Sequence, residues 1–227
     1  MSVPKQALAA LVAAVAALSL SGCGISNPGV AAEVGDETVS TSDVNRLTTG
    51  YCDALRPQLE SGGQIYPIRY LRGYVVGNLT VKAAAEQLAD NYGVTLGADY
   101  LQSLKDLETQ YAGLPADSRD EVIEVETAGA YITAVEHAVG SAILEGEGDT
   151  GADDDARVSR GRDELQLWLA DHPADVNPRY GIQISNADFT FADTSTSYPL
   201  TPDAVAADKA QPDQAYAATL PSSQRCG

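Results

Sequence analysis

The sequence contains few basic residues and few aromatic residues other than tyrosine. Its 227 residues include one tryptophan, two phenylalanines and two histidines, but eleven tyrosines. Fourteen lysine and arginine residues stand against 32 aspartate and glutamate residues, which makes the formal net charge −18. Such an acidic surface repels phosphate backbones and anionic headgroups. We therefore expect no nucleic-acid partner.

Residues typical of catalytic and cofactor sites are also scarce. His137 and His172 have no cysteine near them in the sequence, so a catalytic dyad or a metal site would need distant partners. No glycine-rich phosphate loop follows a predicted strand, and no Gly-x-Ser-x-Gly motif occurs. We expect a protein that is not an enzyme and has no catalytic residue, no metal site and no cofactor. His137 is interpreted as a surface or packed helix residue, and His172 as a helix C-cap.

An acidic segment, residues 146–155, invites a calcium interpretation. Asp149, Gly151, Asp153 and Asp155 occupy alternate positions in it. An EF-hand loop would also need a glycine after its third ligand and a bidentate acid at its end, and both are missing. We favour a solvated, mobile loop over a calcium site.

The first 22 residues are typical of a secretory signal peptide. Lys5 precedes an apolar run from Ala7 to Leu20, which is too short to cross a bilayer as a mature helix. The following Leu-Ser-Gly-Cys sequence resembles the bacterial lipobox and predicts lipidation of Cys23 at the mature N-terminus. Two or three acyl chains, at about 0.8 kcal/mol per buried methylene, would fix the protein to the outer face of the cell membrane. An ordinary signal peptide with a chance cysteine nearby is the alternative.

The two cysteines beyond Cys23 are expected to pair. In an oxidising compartment outside the cytoplasm, an even remainder of cysteines favours a disulfide, here between Cys52 and Cys226. The bond would close a very long loop and stabilise the protein by on the order of 4 kcal/mol in the chain-entropy model. Two free thiols are the alternative; zinc binding is less favoured because the usual four-ligand set is missing.

Apolar residues at helical spacing predict five helices after a linker (residues 23–29) and a short β-hairpin turning at Gly35. The first helix follows Ser40 and stops at Gly62, and the others cover residues 67–92, 98–111, 116–145 and 156–171. A strand at residues 180–185 could pair with the hairpin, and residues 186–227 are expected to form an irregular extension. The predicted fold class is mostly α (α+β). It is a multi-helix bundle over residues 30–185, with a small antiparallel β element formed by the N-terminal hairpin and a C-terminal strand.

Tyrosines cluster at the start of the second helix. Tyr66, Tyr70 and Tyr74, with Ile68 and Leu71, could line a groove for extended client peptides, because tyrosine offers apolar area and a hydroxyl at low entropy cost. Core packing between the first and second helices is the other interpretation.

Two segments and the helix order carry a family resemblance. Residues 32–45 have the sequence A-E-V-G-D-E-T-V-S-T-S-D-V-N, the helices end in a return helix, and residues 175–181 have the sequence D-V-N-P-R-Y-G. Together they resemble the N-terminal domain of SurA-type extracytoplasmic chaperones, and more closely the SurA-N-like lipoproteins of high-GC Gram-positive bacteria. The resemblance covers residues 30–185. It implies a SurA-N or trigger-factor-C-like bundle whose last strand closes against the N-terminal end.

The resemblance also implies chaperone-like binding of unfolded or exported polypeptides. SurA and the PrsA foldases carry parvulin-type prolyl isomerase domains of roughly a hundred residues, and loop 146–155 is far too short to contain one. We expect a membrane-anchored holdase or foldase accessory without isomerase activity. A scaffold lipoprotein that binds one folded envelope partner is the alternative.

Overall fold

The computed structural model describes residues 29–192, 199–207, 209 and 213–227. The predicted signal peptide and the predicted lipidation site Cys23 lie outside the described residues. Within them the chain is mostly helical with a few small antiparallel strand pairs, so the predicted mostly α (α+β) class is confirmed. None of the helices in this part of the chain combines the length and the apolar character that a membrane span requires.

Five long helices form the body, and their bounds lie close to the predicted ones. They are α1 (Thr41–Ser61), α2 (Ile68–Tyr92), α3 (Ala98–Gln110), α4 (Ala116–Gly146) and α5 (Asp154–Asp171). The helix starts follow from local chemistry: Ser40 Oγ accepts the Asp43 N–H at 3.0 Å, and Asp153 Oδ1 accepts the Ala156 N–H at 2.8 Å. Each of these N-cap oxygens pairs a backbone donor that has no partner within the helix.

The strands of the described residues are short and form three separate sheets. They are β1 (Val30–Val34), β2 (Glu37–Ser40), β3 (Tyr66–Pro67), β4 (Asp175–Val176), β5 (Ile182–Ser185), β6 (Asp188–Phe191) and β7 (Arg225–Cys226). Their orders are β2-β1-β4, β3-β7 and β5-β6, and all pairs are antiparallel. β4 lies in the 175–181 segment and pairs with β1 of the N-terminal hairpin.

The prediction that a strand within 180–185 pairs with the N-terminal hairpin is wrong about the partner. β5 forms at Ile182–Ser185, but it pairs with β6 through a two-residue turn at Asn186 and Ala187. Both turn residues have positive φ, 54° and 57°, as the two central residues of a tight two-residue hairpin turn require. β5 therefore pairs with β6, which follows it after two residues, rather than with β1, which is distant along the chain.

The described residues of the segment 186–227 are more regular than the expected irregular extension. Besides β6 and β7 they contain two short helices, α6 (Pro202–Ala207) and α7 (Gln214–Thr219). β6 is held because Phe191 and Phe189 lie over Gly73 and Gly77 of α2, where an added Cβ would overlap their rings. β6 thus packs onto the body through α2.

The main core lies where α2, α4 and α5 meet, and a second apolar cluster lies between the N-terminal hairpin, α1 and α2. α4 and α5 approach each other at two glycines. A Cβ on Gly140 would overlap the carbonyl oxygen of Arg157, and one on Gly161 would overlap that of Glu136. The backbones are therefore in direct contact at this crossing.

Candidate functional site

The tyrosines predicted to line a peptide groove are half-buried against the chain's own aromatic residues. The ring centroids of Tyr66 and Tyr70 are 6.0 Å apart, and the Tyr70 ring stacks on Phe191 at 4.1 Å. The Tyr74 ring meets Phe189 edge-on at 6.0 Å. The β5–β6 hairpin therefore packs against this tyrosine row at Tyr70 and Tyr74.

Ile68 and Leu71 point towards the disulfide rather than towards a groove. Leu71 is buried in a cluster with Cys52 and Cys226, and Ile68 packs against the same cluster. Of the two interpretations, core packing describes Leu71.

The structure contains the predicted disulfide between Cys52 of α1 and Cys226 of β7. The two Cα atoms are 5.7 Å apart and both side chains are buried. In the β3–β7 pair Cys226 is opposite Tyr66, so the bond fixes the C-terminus of the chain beside the tyrosine row.

Two tyrosines and a glutamate connect three helices. The hydroxyls of Tyr51 and Tyr74 donate to Glu126 Oε1 at 2.6 and 3.3 Å. Burial, followed by the effect of the Glu126 carboxylate, raises the pKa of Tyr51 far above its ordinary value and that of Tyr74 to about 12. Both phenols are therefore neutral hydrogen-bond donors near pH 7. This arrangement positions the helices, and neither phenol has the pKa of a general acid or base for neutral solution.

A buried carboxylate lies at the α4–α5 crossing. Glu136 is 1% exposed and accepts two hydrogen bonds of 3.0 Å from the guanidinium of Arg162. Both carboxylate oxygens are thereby paired, as a charge in a core position requires. We assign the pair to helix packing.

The histidines and the acidic loop form local contacts. His137 Nε2 lies 3.2 Å from Asp154 Oδ1, and the His172 ring stacks on Trp168 at 4.3 Å as the C-cap of α5. Asp149 Oδ1 accepts the Gly151 N–H at 3.2 Å. Among the residues that the structure describes, no group of three His, Cys, Asp or Glu side chains is arranged to hold a metal ion.

The feature best suited to binding is a groove between α5 and the strands β4 and β5, which we call the α5–β5 groove. It encloses about 1030 Å³. Its apolar wall consists of Leu167, Leu169, Ala170, Pro173, Ala174 and Val176. Leu167 is 60% exposed, so this part of the wall is open to a ligand.

An open strand edge forms the other side of the α5–β5 groove. The groove is lined by five consecutive residues of one strand and its turn, Ile182 to Asn186, and by no residue of β6. It therefore runs along the edge of β5 that faces away from β6. An unpaired strand edge offers a row of backbone donors and acceptors to any extended polypeptide.

The groove is acidic. Asp163 and Asp175 line it, and none of the described residues that line it is basic. Together with the net charge of −18, this favours a ligand with positive charge.

The sequence analysis did not single out this site. Leu167 is the signal that could have found it, because it lies outside the apolar stripe of Leu165, Trp168 and Leu169 and yet is apolar. The position of β5 beside α5 could not be predicted, since it depends on which strand β5 pairs with. The chain matches no protein-family model, no curated protein and no solved structure.

Proposed function

We propose that the protein is a cell-envelope lipoprotein whose helical body binds extended segments of unfolded or exported polypeptides without catalysing a reaction on them. The observation that carries this proposal is the α5–β5 groove, in which an apolar wall with the exposed Leu167 lies beside an unpaired strand edge. The resemblance to SurA-type N-terminal domains and the predicted signal peptide ending at Cys23 support the same function.

The groove favours a chaperone over a scaffold for one folded partner. Backbone amides and carbonyls are common to all polypeptides, so a site that uses a strand edge tolerates many sequences. Such groups are available in unfolded chains but are already paired in most folded proteins. The site therefore suits clients that have not yet folded.

An aggregation-suppression assay with the mature protein, residues 23–227, tests the proposal. We expect protection of several unrelated unfolded clients, weakened by Leu167→Glu because the new charge lies in the apolar wall. Leu101→Glu is the matched control, since Leu101 is 56% exposed but lies on α3 away from the groove. Inactivity on all unfolded clients, together with tight binding of one native envelope protein, would support the scaffold function instead.

The membrane anchor is tested separately by replacing Cys23 with serine. We expect the wild-type protein to carry a diacylglycerol and to fractionate with membranes, and Cys23→Ser to lose both properties. Mass spectrometry of the mature N-terminus measures the modification directly. A Cys23→Ser protein that is still cleaved and still membrane-bound would contradict the lipoprotein part of the proposal.

A further inference from the structure

We infer that a client segment binds in the α5–β5 groove as an additional strand on β5, and that the acidic groove selects segments rich in lysine or arginine. This inference rests on the proposed function and adds the binding mode and the chemistry of the ligand.

The register of the β5–β6 hairpin shows which backbone groups are open. Ser185 is opposite Asp188 across the two-residue turn, and Gln183 is opposite Thr190. At the far end of the hairpin, Gly181 O accepts the Ala192 N–H at 3.1 Å. Between two antiparallel strands, residue pairs that hydrogen-bond to each other alternate with residue pairs whose amides and carbonyls point away from the partner strand. Residues 181, 183 and 185 therefore bond to the β6 side.

The backbone groups of Ile182 and Ile184 consequently point towards the α5–β5 groove. Within the described part of the chain they have no backbone partner outside the hairpin. Their side chains are anchored, because Ile182 is 2% exposed and Ile184 packs against both core clusters. The edge is therefore held rigidly, which lowers the entropic cost of adding a strand to it.

Side chains of the added strand would alternate between two environments. Those on one face contact the apolar wall around Leu167 and Pro173, and those on the other face point to solvent, from where long basic side chains can reach the exposed carboxylates of Asp163 and Asp175. Asp163 and Asp175 lie in the groove lining with no basic side chain beside them there. A segment that alternates apolar and basic residues fits both features.

A second copy of this chain is a poorer occupant of the same edge. Pairing two β5 edges would bring two acidic grooves together between copies of a chain whose full sequence has a formal net charge of −18. Like charges brought together at an interface oppose association. An oppositely charged client segment is favoured on the same grounds.

Peptide binding to the full mature protein tests the inference. The probes are peptides of about seven residues, long enough to cover β5. The first peptide alternates valine and lysine, and the second alternates valine and glutamate. The third and fourth are valine–lysine peptides with N-methylated backbone amides. The third is methylated at its three central residues and the fourth at its two terminal residues. We expect the valine–lysine peptide to bind at least about tenfold more tightly than the glutamate peptide, with an affinity that falls as salt is added. Central methylation should abolish binding and terminal methylation should not, because only the former removes the donors of the added strand.

Amide hydrogen exchange measures the binding mode without a variant. Bound peptide should protect the amides of Ile182 and Ile184 and leave those of Gln183 and Ser185, which already bond to β6, nearly unchanged.

Two double variants test the charge selection. Asp163→Asn with Asp175→Asn should reduce the preference for the lysine peptide over the glutamate peptide. Asp36→Asn with Asp90→Asn changes the net charge equally on exposed sites elsewhere and should not.

The outcomes separate this inference from the proposed function. Suppose that clients are protected from aggregation while central methylation has no effect, or while the amides of Ile182 and Ile184 stay unprotected. Either result would show that the inferred binding mode by strand addition is wrong and would leave the chaperone function standing. If clients are protected and the strand forms but both peptides bind equally, the charge selection is wrong. If neither clients nor peptides bind, the proposed function fails as well.

Discussion

Glycines at the α4–α5 crossing show how one residue sets the distance between two helices. Gly140 lies against the backbone of Arg157, whereas Gly129, on the same helix, has nothing within 4 Å of an added Cβ. The same substitution should therefore have opposite effects at the two positions. Glycine in a helix interior costs roughly 0.5–1 kcal/mol relative to alanine, which is recovered only where the methyl group has room.

We predict that Gly140→Ala lowers the free energy of unfolding by about 2 kcal/mol or more, because the two backbones must separate. Gly129→Ala is the matched control and should raise it by up to about 1 kcal/mol. Urea denaturation followed by circular dichroism measures both. Equal effects of the two substitutions would contradict the close helix contact.

A second residue-scale prediction concerns Glu136 and Arg162. Arg162→Met leaves a carboxylate that is 1% exposed without its two hydrogen bonds. We expect a loss of about 2–3 kcal/mol, less than for a fully buried pair because the Arg162 side chain is 53% exposed. Adding Glu136→Leu should restore most of the stability, since no unpaired charge is then buried. A double variant no more stable than Arg162→Met would argue against this explanation.

At the scale of elements, α2 connects the parts of the body. It contacts α1, α4 and α5, and its two glycines receive the phenylalanines of β6. Tyr51 of α1, Tyr74 of α2 and Glu126 of α4 join the three helices by hydrogen bonds. The groove wall is carried by α5, which packs along α4. The relative positions of α2, α4 and α5 therefore determine the width of the α5–β5 groove.

The phenol network predicts a loss of stability at alkaline pH. Unfolded tyrosines ionise near pH 10, whereas burial and then Glu126 raise the folded pKa of Tyr51 above that value and that of Tyr74 to about 12. Above pH 10 the folded state therefore binds more protons than the unfolded state, and the free energy of unfolding falls as pH rises. Urea unfolding at pH values from 9 to 12 measures this slope.

Two variants isolate the contribution of the network. Tyr51→Phe with Tyr74→Phe should flatten the slope, because neither phenol can then ionise. Glu126→Gln should flatten it only in part, because it removes the carboxylate but not the burial. A slope that is the same in all three proteins would show that the alkaline loss arises elsewhere.

At the scale of the whole molecule, the disulfide joins α1 to β7 near the C-terminus. It spans 174 positions and holds β7 against β3, beside the tyrosine row. Because the loop it closes contains most of the body, the bond restricts the unfolded chain strongly. The bond is also consistent with the oxidising compartment that the predicted signal peptide implies.

We predict that Cys226→Ser lowers the free energy of unfolding by on the order of 4 kcal/mol. Residues 213–227 should then become more sensitive to limited proteolysis than the helical body, because the β3–β7 pair has only two residues in each strand. Cys52→Ser should have the same effect, and the double variant no more. Unchanged stability in the presence of a reductant would contradict a structural role of the bond.

The helices and the fold class could be predicted because their causes lie within a few residues. The Ser40 N-cap, the apolar spacing of α2 and α4, and the stop at Gly93 all act through neighbours three or four positions away. The pairing of Cys52 with Cys226 was also predictable, since two cysteines outside the predicted lipidation site allow one bond.

The proposed binding site depends on contacts between distant residues. Tyr70 and Tyr74 are of a residue type common on peptide-binding surfaces, but their rings pack against the phenylalanines of β6. No local sequence pattern predicts this packing, because the phenylalanines lie more than a hundred residues away along the chain. The α5–β5 groove exists because β5 pairs with β6 and leaves its other edge beside α5. Periodicity and caps thus determine which segments are helical, while the partner of each strand and the surface left open depend on free energies summed over the whole fold.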